Sequence, residues 1–83
     1  MFTEFEVYEV YTDKVGEIED TEFATSIRID PESEDLYDTV VEELNSNGVV
    51  VHHTWDIIND KEMGMIHIYD TKGKYRYQIK EAL

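Results

Sequence analysis

The side chains to test first for chemistry are three histidines, three serines and twenty carboxylates, since this sequence of 83 residues contains no cysteine. His52 and His53 are adjacent, and on an expected strand they point to opposite faces, which argues against a shared metal or a general-base pair. His67 could meet one of them across a ladder, but no carboxylate is placed by spacing to complete a hydrolytic zinc site. Ser26, Ser33 and Ser46 sit in no nucleophile-elbow sequence, and the last two fall in helix-capping surroundings. No Walker loop or dinucleotide fingerprint is present, and Gly16, Gly48, Gly64 and Gly73 all read as turn residues. Asp56 to Glu62 offers oxygen ligands without the alternating ladder, central glycine and terminal glutamate of an EF-hand loop. Thiol chemistry and cysteine-ligated metal sites are excluded outright. The expectation is a protein that is not an enzyme, with no catalytic residue, no metal and no cofactor.

Charge is the unusual property. The formal net charge is −13, and residues 1–43 hold fifteen acids against Lys14 and Arg28, while residues 44–83 hold five acids and five bases. The whole imbalance therefore sits in one half, an asymmetry that points to an interaction surface. Phosphate neutralisation needs a basic footprint, so direct nucleic-acid binding is not expected. Lys72, Lys74, Arg76 and Lys80 interleave with Tyr75 and Tyr77, but alternation is expected to put bases and aromatics on opposite faces. That basic strand could instead meet the acidic half of a second copy in a homodimer. Halophilic adaptation would spread acid over the entire surface and spare lysine, whereas six of the seven bases are lysine. No apolar stretch approaches the ~20 residues of a membrane span, and the absence of cysteine gives no argument for an oxidising compartment.

The length leaves room for a single α+β domain over residues 1–83, of order ββαβββ. Phe2 to Thr12 reads as a strand whose apolar phase changes near Val7-Tyr8, where a β-bulge is expected. Asp13 to Gly16 is a turn, and Glu22 to Asp30 a second, hairpin-paired strand with Phe23, Thr25, Ile27 and Ile29 on one face. Asp30-Pro31 is expected to open a helix of ~24 Å, with Leu36, Val40 and Leu44 as its apolar stripe and Asn47-Gly48 as its end. Val49 to Ile58 is expected to be the central strand, and Thr71-Lys72-Gly73 to join the last two strands in a hairpin. One helix on an antiparallel or mixed five-stranded sheet buries both apolar patterns. The other sheet face is then polar or meets another molecule, because six tyrosines cannot all be core.

Acids on regular elements can imitate a phosphate array. Glu4 and Glu6 would stand ~6.7 Å apart on one strand face, and Glu34, Asp38 and Glu42 ~6 Å apart on one helix face. With those residues, its size and its lack of cysteine, the chain resembles in type the small acidic DNA-mimic and host-takeover proteins of bacteriophages. The resemblance implies a non-catalytic inhibitor in the cytoplasm of a bacterial host. Its partner would be a basic DNA-binding protein such as a histone-like protein, a polymerase or a nuclease. Glu4, Glu6, Glu9, Glu32, Glu34, Asp35, Asp38, Glu42 and Glu43 are the expected contacts, with Tyr8 and Tyr37 adding apolar area. An immunity protein or antitoxin against a basic toxin, and a small metal-binding domain, are the alternatives.

Overall fold

A computed structural model describes residues 1–82. It contains β1 (Thr3–Thr12), β2 (Ile18–Ile29), α1 (Leu36–Ser46), β3 (Asp56–Asp60), β4 (Met65–Tyr69) and β5 (Tyr75–Glu81). The strands form one sheet in the order β2-β1-β5-β4-β3, and every neighbouring pair is antiparallel. Three of the four ladders join chain-adjacent strands and the fourth pairs β1 with β5, while the segment through α1 crosses from one sheet edge to the other.

Two of the hairpin turns are built alike. Asp13 and Asp70 each accept two backbone N–H groups on one carboxylate oxygen, from Val15 and Glu17 at 2.9 Å and from Lys72 and Lys74 at 2.9 and 3.0 Å. A glycine three residues on then donates back to the Asp carbonyl. These bonds to the ionised form, the Lys74 amide foremost, hold the Asp70 carboxyl below its ordinary pKa. Gly73 has φ +81°, and an added Cβ there would meet no atom within 4 Å. Gly73→Ala therefore carries only the left-handed backbone cost, about 1 kcal/mol, and is expected to lower the denaturant midpoint without changing the slope.

One face of the sheet carries the core. Phe5, Val7, Ile27, Ile29, Ile57, Ile66, Ile68 and Ile79 meet Leu36, Val40, Val41 and Leu44 of α1, with Val49 and Val51 packed in beside them. The helix lies across the sheet. Its first turns stand beside β3, where Tyr37, Asp38 and Val41 share a groove with Ile57 and Ile58, and Asn47 at its far end accepts from the Thr25 hydroxyl of β2. It ends in a Schellman arrangement: Val49 N–H bonds the Leu44 carbonyl at 2.9 Å and Gly48 N–H that of Asn45 at 3.1 Å.

Four sequence expectations need correction. The helix starts at Leu36, not at Asp30-Pro31, because the Asp30 carboxylate and carbonyl instead take the Glu32 and Ser33 amides and close a separate turn. Asp35 occupies the N-cap position without a side-chain cap bond, and eleven helical residues span ~16 Å rather than ~24 Å. Val49 to Ile58 is not a central strand. Asn45 clamps Val51 by accepting its N–H at 3.1 Å and donating to its carbonyl at 3.2 Å, so that stretch packs as a loop, and only Asp56–Asp60 forms a strand, at the sheet edge. The central strand is β5. The register shift at Val7/Tyr8 is present, and Ala24 of β2 is the extra residue, which moves Phe23 off the core face to pair with Tyr8. Another shift, at Ile68/Tyr69, makes Arg76 extra and turns Tyr75 away from Tyr77.

Candidate functional site

The sheet divides the expected contact residues into two groups. Phe5 and Val7 point into the core, so Glu4, Glu6 and Tyr8 lie on the face without the helix, while Glu9 shares the helix-bearing side with its partner Tyr77. Tyr77 is partly buried, and that burial, with the Glu9 carboxylate nearby, raises its phenol pKa. Asp38 and Glu42 are exposed one turn apart on α1, and Asp35 stands just before its first turn. Glu34 precedes the helix and drops out of the helical ladder, and Glu32 faces Lys61 at 3.6 Å. Glu43 is half-buried, and Tyr37 is 58% exposed beside Asp38. The expected contacts are thus divided: Glu9 on the hairpin and Asp38 and Glu42 on α1 belong to the helix-bearing side, and Glu4 and Glu6 to the other face.

That outer hairpin adds Glu19, Asp20 and Glu22 to the expected acids. Ile18 to Asp20 is strand, and Glu9 stands directly opposite Glu22 in the ladder, a like-charge pairing that weakens a sheet. The Tyr11 hydroxyl donates to Glu22 at 3.4 Å, and partial burial with the Glu22 and Glu9 carboxylates beside it raises the phenol pKa. Among the described residues, ion pairs within 4.0 Å reach only Asp30, Glu32, Asp60 and Asp70. The acids on α1 and on the outer hairpin have no cation partner at that distance.

The helix-free face has a different character. Register places Arg28 beside Glu4 and Lys80 beside Glu6, so opposite charges alternate there. Tyr8 donates to Glu6 at 3.1 Å, which raises its phenol pKa, stacks edge-on against Phe23 at 5.8 Å, and carries Lys80 over its ring at 5.3 Å. Tyr69 and Tyr75 stack at 4.8 Å, and Tyr75 contacts His67. Bases and aromatics therefore share this face, contrary to the expectation from alternation, because the bulge at Arg76 reverses the phase. β5, being central, offers no free edge through which a basic strand could join a second copy.

The histidines do not assemble. His52 and His53 belong to the turn before β3 rather than to a strand, and His67 on β4 pairs with Ile58 and Gln78. Among the described residues no group of three or more His, Cys, Asp or Glu side chains could hold a metal ion. Among the described residues no helix is long and apolar enough to cross a membrane. A groove of about 570 Å³ lies between α1 and β3, lined by Tyr37, Asp38, Val41, Trp55, Asp56 and Ile58 among others. Sequence reasoning missed it because it treated residues 49–58 as one interior strand. In comparison with known proteins, no family model, curated protein or solved structure matches the chain.

Proposed function

We propose that the chain is a non-enzymatic inhibitor that occupies the DNA-binding surface of a basic protein in the cytoplasm of a bacterial host. The observation that carries this reading is the set of unpaired acids on α1 and the outer β1–β2 hairpin. Asp38, Glu42, Glu9 and Glu22 are held on regular elements and Asp35 at the helix N-cap, with no cation in salt-bridge reach among the described residues. Like charges at such spacing weaken the fold that carries them, and a basic partner removes that repulsion on binding. Their field also accelerates association with a positive surface and makes it salt-sensitive. Glu4 and Glu6 contribute less, because Arg28 and Lys80 stand beside them.

The test is retention of bacterial lysate proteins on the immobilised chain, with and without competing duplex DNA and at low and moderate salt. DNA-binding proteins should be retained, displaced by duplex DNA, and bound about tenfold more weakly by an Asp38→Lys, Glu42→Lys double variant. Retained proteins that DNA does not displace, or unchanged retention by the variant, would overturn DNA mimicry. Neutralisation of one basic toxin is the second reading, favoured by Tyr37, whose exposed ring beside Asp38 suits a shape-specific contact. It predicts a single partner, lost on Tyr37→Ala.

A further inference from the structure

We propose that the groove between α1 and the free edge of β3 binds an extended peptide of alternating apolar and basic residues as a sixth strand. It rests on the reading above only in the sign of the partner's charge. β3 ends the sheet and pairs only with β4. Among the described residues, no backbone hydrogen bond outside that ladder reaches Asp56–Asp60. An edge strand directs the N–H and C=O of every second residue outward, a template for strand addition. The opposite edge, β2, carries Glu19, Asp20 and Glu22. At β3 the first turns of α1 and the chain through Trp55 supply the walls, and the volume of about 570 Å³ is that of a ligand site.

Strand alternation specifies the peptide. Ile57 is buried toward α1, so the peptide residue opposite it also faces α1, over Val41 and Ile57, which are 2% and 8% exposed. That position needs an apolar side chain. Its neighbours turn to the other face beside Asp56 and Ile58, where a lysine or arginine meets the exposed Asp56 carboxylate. Asp56 has no cation within salt-bridge distance among the described residues. A second copy of the chain is a poor occupant: antiparallel β3–β3 pairing about Ile58 would set Asp56 against Asp60, and the β2 edge would bring more acid.

The probe is a short end-blocked peptide of alternating lysine and valine, followed by the fluorescence of Trp55, the single tryptophan, and by amide chemical-shift mapping. Shifts should concentrate on residues 37–41 and 55–58. N-methylation of one set of alternate peptide amides should weaken binding by at least about tenfold, and Asp56→Lys in the protein should do the same. Methylation of the other set should have little effect. The proposal is overturned if neither methylated peptide loses affinity, if the shifts spread over the hairpin acids, or if the peptide does not bind. A failure here with DNA-displaceable retention intact would leave the basic-partner reading standing. Groove binding without DNA displacement would do the reverse.

Discussion

Ile79→Ala is expected to lower the unfolding free energy by about 3–4 kcal/mol, the cost of lost transfer energy plus an unfilled cavity at a site that cannot collapse. Ile79 is fully buried on β5, the middle strand, with Val7 of β1 and Ile66 of β4 as its cross-strand partners. Those neighbours are 0% and 1% exposed and lie on strands held by further ladders, so little backbone movement is available to close the gap. A chain of this length is ordinarily stable by roughly 4–12 kcal/mol, so the loss removes a large share of it. Urea unfolding followed by far-ultraviolet dichroism should show a much lower midpoint with an unchanged slope. Ile79→Val should cost about 1 kcal/mol on the same scale. Equal effects of the two variants would mean that the β5 position is not enclosed from both sides.

The sequence announced the parts of the fold whose signals are local. Asp13 to Gly16 and Asp70 to Gly73 carry their own turn chemistry, in which an Asp side chain takes two amides and a glycine takes positive φ, so both hairpins were readable. The stripe Leu36, Val40 and Leu44 and the Asn47-Gly48 stop likewise located the helix and its end. Errors arose where a distant partner decides. Asp30-Pro31 is a good helix opening by composition, yet the Asp30 carboxylate closes a turn on the Glu32 amide. Val49 to Ile58 has strand composition, yet Asn45, four residues before Val49, satisfies the Val51 backbone and releases it from any ladder. The bulge near Tyr8 was visible as a phase change in β1, but its extra residue is on β2, where the regular alternation through Ala24 conceals it. Phe23 changes face for that reason, and Tyr75 does so through the separate bulge at Arg76. The groove followed from the same misreading, since only an edge β3 leaves space beside α1. Which acids meet was equally unreadable, because it depends on the strand register of Glu9 with Glu22 and on the helix crossing the sheet.

The melting temperature is expected to rise by about 5–10 °C as sodium chloride increases from roughly 0.01 M to 0.15 M, because screening relieves repulsion that the folded state concentrates. At the lower value the Debye length is about 30 Å, comparable with the 39 × 28 × 26 Å body, so every acid feels nearly all the others. At the higher value it is about 8 Å, and only neighbours such as Glu9 and Glu22 still interact. The unfolded chain spreads its charge and gains less from salt. Two reversals in the Asp38→Lys, Glu42→Lys variant bring the formal net charge from −13 to −9, and its melting temperature should depend on salt less steeply. A flat or falling salt dependence for the parent chain would remove the repulsion on which the partner reading draws. Acid supplies the opposing limb. Asp70 has a folded-state pKa below its unfolded value, through the Lys74 and Lys72 amides and then Arg76, so its stabilisation is complete above the ordinary carboxylate range. That stabilisation is lost as pH falls through the lowered folded value. Below about pH 4, the unfolded aspartate range, the parent should lose stability that Asp70→Asn has already lost at neutral pH. The two melting curves should therefore converge in acid even at a salt concentration where repulsion is screened.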